Sequence, residues 1–308
     1  MKNSINLFSF ELFQFSVAPK YALQYGQMNE YVLYSNGNTQ SMLNWEIDRI
    51  NLLGFNATMG WELLFLETNC MWGFPKSSGT MCDSDWLNTQ NYGMKTNYSE
   101  SENNLDYLGN VELRFGLNIR PVSFLSIKPY FGISYDRIEF SADGGTYWYG
   151  ARSNTGLSEH VSYSDSRAKT GSFSSYGTVI KYKRETFTYN IGSKVGVKFL
   201  TRFLVTADFG ISIYSAINSV DEHILTKKSY LDKMQGFFKT YYLGAEVDVG
   251  IWKGLSAGSS LKFVKINQLT GNDYSRKSTS KQYALDNTVL AAAGGYYYNI
   301  EFFVRYSF

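Results

Sequence analysis

The chain is poor in proline, with four in 308 residues, and it has only two histidines and two cysteines. So few histidines leave no cluster to hold a zinc ion. Neither sign of charge is in excess, since 29 basic residues face 27 acidic ones, so a nucleic-acid partner or an acidic substrate is not implied. No apolar run reaches the roughly 18 residues of a membrane helix, and few stretches have the period of an amphipathic helix. With 308 residues there is room for one large domain or two ordinary ones.

What is present is aromatic and alternating. Tyrosine leads with 25 residues and phenylalanine follows with 22. From Phe187 the odd positions Tyr189, Ile191, Val195, Val197 and Phe199 are apolar. The intervening Thr188, Asn190, Gly192, Lys194, Gly196 and Lys198 are polar or small. Successive strand residues point to opposite faces, so such a segment has one apolar and one wet face. The alternation outlasts the roughly 5–6 residues of an ordinary strand, and it recurs. It is seen in Leu105–Ile119, Leu125–Phe140, Val205–Ile213, Tyr241–Ile251, Leu255–Lys265 and Tyr296–Phe308.

Tight turns are expected at Asn36-Gly37-Asn38, near Gly54 between Ser41–Leu53 and Asn56–Leu66, at Arg120-Pro121-Val122 and at Trp252-Lys253-Gly254. Long polar loops are expected at about 74–104, 144–176, 215–235 and 270–286. About ten strands joined alternately by short turns and long loops, with an apolar outer band and aromatic ends, predict an all-β, transmembrane antiparallel β-barrel forming one domain over 1–308. The loops would face the exterior and the turns the periplasm. A soluble β-sandwich is the competing architecture; it would have to bury these apolar faces in a second sheet. Met1–Val17 reads either as strand or as a frayed end. Lys2 and Leu7–Val17 faintly resemble an export signal, but Glu11 interrupts it.

Glu112, Arg114, Asp208, Glu246, Asp248, Lys262, Glu301 and Arg305 share the lumen-facing parity. In a narrow barrel they would fill the interior and pair with one another, which argues against an open pore.

Two acidic groups carry candidate chemistry. Asp83 and Asp85 lie in Gly79–Trp86, at an apolar-to-polar boundary, and Asp221-Glu222-His223 lies at a similar boundary in the other half. A histidine fixed by an aspartate can act as general base on a water. Two aspartates two residues apart should raise one another's proton affinity. Taken singly, a loop aspartate pair is ordinary solvated surface.

The order of motifs resembles the omptin family of outer-membrane endopeptidases, over about Glu30 to Phe308. Ser41-x-Leu43-x-Trp45 resembles an omptin strand motif, and Met81-x-Asp83-x-Asp85-Trp86 the catalytic aspartate pair. Phe140-x-Ala142-x-Gly144-Gly145-x-Tyr147 resembles a glycine turn in the third outer loop, and Asp221-Glu222-His223 the catalytic dyad. The terminal Phe308 looks like the assembly signal of bacterial outer-membrane barrels. The resemblance implies a ten-stranded barrel in the bacterial outer membrane with a groove at its extracellular mouth. Catalytic roles would fall on Asp83, Asp85, Asp221 and His223. The partners would be an extracellular polypeptide and lipopolysaccharide or a similar lipid. It implies no metal or organic cofactor and no nucleic acid, and a monomer is the working expectation.

The same resemblance puts Glu30, Met81 and Ser219 at a substrate pocket. Omptins favour basic residues through acidic pocket positions, but one of these is Ser219 here and another aligns with Asn97. The basic preference is therefore expected to be weakened. Met81 would line the pocket or simply pack. Arg137 and Arg184 match lipid-binding positions, though Lys183 has the better outward parity; interfacial snorkelling explains such residues equally well. Cys70 and Cys82 form either a disulfide or two separate thiols, and Cys82 should face away from the aspartates. Parity raises one difficulty. If Ile211 and Ile213 face lipid, so do Asp221 and His223, unless an irregularity intervenes between Tyr214 and Val220. A non-enzymatic adhesin or invasin, and a small-solute pore, are the competing functions.

Overall fold

The computed structural model describes residues 13–200, 202–277, 279–280 and 282–308. Met1–Val17, expected as strand or a frayed end, lies mostly outside these residues; from Gln14 the chain is strand.

One antiparallel sheet closes on itself. Its strands are β1 (Gln14–Tyr34), β2 (Thr39–Trp61), β3 (Leu64–Gly73), β4 (Lys76–Asp85), β5 (Asn97–Leu117), β6 (Ile119–Val122) and β7 (Leu125–Tyr149). They continue as β8 (Lys169–Ser172), β9 (Thr178–Phe199), β10 (Phe203–His223), β11 (Lys228–Phe237), β12 (Thr240–Trp252), β13 (Leu255–Lys277) and β14 (Ala284–Ser307). A single helical turn, α1 (Arg152–Thr155), lies between β7 and β8. β3 and β4 together make one stave, as do β11 and β12, and β6 and β8 merely extend hairpins, which leaves ten staves. β1 pairs with both β2 and β14, Tyr21 lying opposite Leu53 on one side and Phe302 on the other. The sheet is therefore sealed, as lipid requires, because an open edge would leave backbone groups unpaired.

Alternation does the rest. Along β5, Tyr107, Val111, Leu113, Phe115 and Leu117 are exposed on the outer wall, while Glu112 and Arg114 between them are buried inside. Comparable exposed apolar rows run along β9, β10, β12 and β14. They form a belt that water would not tolerate and lipid does. No described helix is long and apolar enough to cross a membrane. A single closed sheet with its apolar side outward excludes the sandwich.

The interior of the belt is filled by ions in pairs. Arg114 bonds Glu112 at 2.9 Å and Asp208 at 2.6 Å, and Lys262 bonds Glu112 at 3.1 Å. Lys194 reaches Glu67 at 2.6 Å and Lys20 reaches Glu301 at 2.9 Å. Arg305 bridges Glu246 and Asp248. All eight lumen charges expected from parity lie in this network. A cavity of about 590 Å³ opens at the short-turn end, and above the network a smaller one of about 50 Å³ lies among Met28, Asp136 and Tyr297.

Three expectations need correction. Gly54 does not turn the chain: β2 runs straight through it, and the turn comes at Glu62, whose φ is 51°. A Cβ at Gly54 would sit 1.9 Å from the Cys70 carbonyl oxygen, so this glycine serves a close strand approach. Of the polar stretches expected as long loops, 74–104, 215–235 and 270–286 are mostly strand, whereas 150–168 lies outside the sheet as expected. Residues 76–85, 97–104, 144–149, 228–235 and 270–277 all lie in the sheet. Above the lipid both faces of a strand meet polar surroundings, so alternation fades while backbone pairing continues. Finally, Arg120-Pro121-Val122 is itself in β6, and the turn follows it.

Candidate active site

The extended staves carry β4 and the upper end of β10 above the apolar belt, on nearly opposite walls. On β4, Asp83 and Asp85 alternate with Cys82 and Ser84. Asp85 is held from several sides. Thr96 N–H and its hydroxyl donate to the Asp85 carbonyl at 2.8 and 3.0 Å, and Asn97 Nδ2 donates to Asp85 Oδ2 at 3.0 Å. Trp86 is fixed next to it by Tyr34, whose hydroxyl donates to the Trp86 carbonyl at 3.0 Å. Lys95 sits over the rings of Trp86, Tyr98 and Tyr163 at 5.4, 4.8 and 5.5 Å, which clamps the loop between β4 and β5.

On the facing wall the parity problem resolves physically. The register of β10 against β9 shifts between Ser212 and Tyr214, leaving Ile213 as an extra residue. Below the shift Phe209 and Ile211 point outward; above it Ser215, Ile217, Ser219 and Asp221 are buried inside. The irregularity lies just below the expected Tyr214–Val220 interval. Here β10 also changes partners, from β12 to β11. Ser212 stabilises the change, its Oγ accepting from Lys239 N–H at 3.1 Å and Thr240 N–H at 2.9 Å.

His223 Nε2 lies 2.6 Å from Asp221 Oδ2. A carboxylate only accepts, so this nitrogen carries the proton. The ring of Tyr230 meets the imidazole edge-on at 5.4 Å. Burial disfavours the imidazolium, but Asp221, and behind it Asp83 and Asp85, hold the ring's pKa up to about 9. Burial, then the charge of Asp85, pushes Asp83 up to about 8, against the opposing pull of His223. Burial also raises Asp85, with Asn97 and Ser41 hydrogen bonds opposing it. The two walls thus feel each other's charge across the mouth. The arrangement holds protons, a base and an orienting carboxylate around one gap.

Glu30 is buried on β1, and the register runs from Glu30 through Leu43 to Asp83 across three strands. Met81 is buried one step below Asp83, opposite Trp45, which stacks with Phe140 and Tyr182 at 5.7 and 5.2 Å. Ser219 is buried two residues before Asp221. Cys70 and Cys82 are separate thiols, and Cys82 accepts a hydrogen bond from Tyr98 on the face away from the aspartates. Arg137 is on the outer wall, over the Tyr107 ring at 5.2 Å and paired with Glu139. Arg184 is a correction to the sequence reading. It is 1% exposed inside the barrel, its Nη1 donating to the Gly294 carbonyl at 2.8 Å, while Lys183 takes the outward position and pairs with Glu185 at 2.9 Å. One residue of register decides which cation meets lipid.

Sequence reasoning missed Ser41, which opposes the rise of both Asp83 and Asp85, and Tyr149, raised by burial and by the two aspartates' charge. It also missed Tyr230, Asp232 and Asp273. Ser41 stood in a quoted strand motif with no role attached. The other signals needed strand registers through segments that read as loops.

The Omptin family profile matches residues 13–299. No curated protein matches the chain by sequence. Among solved structures, the outer membrane protease OmpT from Escherichia coli superposes with a TM-score of 0.86 at 17% identity, covering 99% of this chain and 100% of that one. The translocator domain of the autotransporter NalP from Neisseria meningitidis reaches a TM-score of 0.34 at 8% identity, covering 92% of this chain and 87% of that one. The Pseudomonas putida toluene transporter TodX reaches 0.32 at 7%, covering 97% and 91%. Neither of these last two carries an argument.

Proposed function

This chain belongs to the omptin family, and from that membership and the rim geometry we propose an outer-membrane endopeptidase that cuts polypeptides outside the cell. The observation that carries this reading is the His223–Asp221 pair at 2.6 Å, set across the mouth from Asp83 and Asp85. A water between the walls gives its proton to His223 through the nitrogen that Asp221 leaves free. Asp221 orients the ring and stabilises the imidazolium. The proton retained by the aspartate pair is donated to the carbonyl oxygen or shared with the water, so attack builds no isolated charge. The rim residues themselves supply base, acid and orientation. As the tetrahedral adduct collapses, the imidazolium gives its proton to the leaving amine and the C–N bond breaks, so no acyl-enzyme forms.

The test is cleavage of a diverse peptide library by refolded protein with lipopolysaccharide. Asp83→Ala and His223→Ala should each lose about 10²–10⁴-fold in rate, the range of a lost acid–base group, with the barrel still folded. Cleavage unchanged in both would sink the mechanism. No cleavage by wild type would favour a surface adhesin. For the lipid, Arg137 and Lys183 are the outer-wall cations to propose. Stimulation by lipopolysaccharide should fall in the double alanine variant, and undiminished stimulation would reject that assignment.

A further inference from the structure

At the end of the barrel opposite the rim, the short turns enclose a second concave space. Its volume of about 590 Å³ falls within the roughly 300–1,000 Å³ of small-molecule pockets. Six carboxylates line it, and each already has its cation. Lys194 takes both oxygens of Glu67, at 2.6 and 2.7 Å. Arg114 and Lys262 engage Glu112, and Arg114 also engages Asp208. Lys20 engages Glu301, and Arg305 serves Glu246 and Asp248. Four further cations line the same space: Arg120, Lys128, Lys198 and Arg202. Among the described residues none of these four forms an ion pair.

Lys128 carries most of the argument. On β7 it stands directly opposite Lys194 of β9, and like charges in that relation destabilise a strand pair. Lys194 is neutralised by Glu67. Lys128 has the face of the Phe65 ring, 5.6 Å away, which is a weak partner for a full charge. It is partly buried in the wall, so water screens it incompletely. Arg120 donates to the neutral Gln14 Oε1 at 3.2 Å. Lys198 and Arg202 stand exposed at the mouth, and Asn118, Ser123 and Ser126 add neutral donors to the wall. One sign of charge thus prevails inside a walled space, which concentrates counter-ions. The surplus favours an anion with several charges on one small group. Guanidinium forks match the oxygens of phosphate, and ammonium groups hold them as point charges. A carboxylate ligand would bring a single charge, and a metal cation would meet no free carboxylate.

We propose that Arg120, Lys128, Lys198 and Arg202 form a binding site for a phosphate group at the short-turn end of the barrel, the end that faces the periplasm in such barrels. The group comes either from a soluble phosphate ester or from the headgroup of a phospholipid lying against the turns. None of the rim residues takes part, so the site stands or falls independently of the endopeptidase reading.

The experiment is calorimetric titration of the refolded full chain in an uncharged detergent, with pyrophosphate as the probe and ionic strength held by potassium chloride. Wild type is compared with the double variant Lys128→Gln, Arg202→Gln. The control is Lys253→Gln, an exposed turn lysine at the same end but outside the cavity. Wild type should bind saturably, the double variant about tenfold more weakly or worse, as expected for lost bonds to a charged group, and the control like wild type. No saturable binding by wild type, binding unchanged in the double variant, or an equal loss in the control overturns the site. Glycerol phosphate and dihexanoyl phosphatidylglycerol then separate the sources. Tighter binding of the lipid that weakens in the double variant identifies a headgroup, and equal binding of the two identifies a soluble ester. Should the double variant not fold, wild type alone decides, because a bound ligand stabilises the folded state. Pyrophosphate should raise its urea midpoint above that in potassium chloride of equal ionic strength, and equal midpoints overturn the site.

Discussion

At His223 the proton count decides reactivity. Burial would lower its pKa, but the charge of Asp221 raises it to about 9, above the ordinary histidine value of about 6.5. The imidazolium therefore persists through neutral pH, and the base appears only as pH rises through that value. The raised Asp83 titrates on the way, at about 8. Because Asp83 loses its proton as the base at His223 appears, kcat/KM, which reports the free enzyme, should be bell-shaped with its maximum between about 8 and 9. Replacing Asp221 with Asn removes the main charge holding the proton. It should move the rising limb to lower pH and reduce the maximum about 10²–10⁴-fold. A pH–rate profile of both proteins checks this, and a limb that does not move would mean another group sets it.

The element that matters most is β10. Its one-residue shift at Ile213 inverts which face the upper strand presents. Deleting Ile213 should leave a regular ladder with Asp221 and His223 still inward and cleavage kept, whereas inserting one residue after Tyr214 should turn both to the outer wall and abolish cleavage while the barrel below still forms; cleavage with a gel assay of folding tests both halves. Ser212→Ala strips the shared acceptor from Lys239 and Thr240 N–H, both donating to a fully buried hydroxyl. An orphaned buried donor costs about 1–3 kcal/mol, and the denaturation midpoint should fall accordingly. Much here was legible in the sequence, because period-two alternation reports any strand that has lipid on one side. The alternation of Phe187 to Phe199 and of Tyr241 to Ile251 gave two staves directly. Parity even demanded a bulge in β10. It could not locate the upper strands, where Asp232 and Asp273 sit, since both faces there are polar. Arg184 was misassigned for a related reason, as a motif match overrode the outward parity of Lys183.

On the scale of the whole molecule, the barrel is a filled pedestal. Arg114 holds Glu112 and Asp208 inside it. Arg114→Met would leave Asp208 without its cation and Glu112 with Lys262 alone, and breaking one partner of such a buried pair costs about 3–5 kcal/mol. A lowered midpoint in urea should show this, whereas Arg276→Met, which loses the 3.9 Å contact with Glu222, an exposed bond to the Ser280 carbonyl and the stacking on Tyr283, should move it less. The charged interior also predicts flat conductance in a planar bilayer; discrete steps would revive the pore.

The closure of β1 against β14 has a further effect. Asp83 and His223 belong to staves that face each other only because the sheet curls all the way round. A nascent polypeptide on its journey to the membrane carries both halves of the chemistry but holds them apart. On the proposed mechanism, latency before assembly follows from topology. In a refolding time course, catalysis should appear together with the compact, sealed species and never ahead of it.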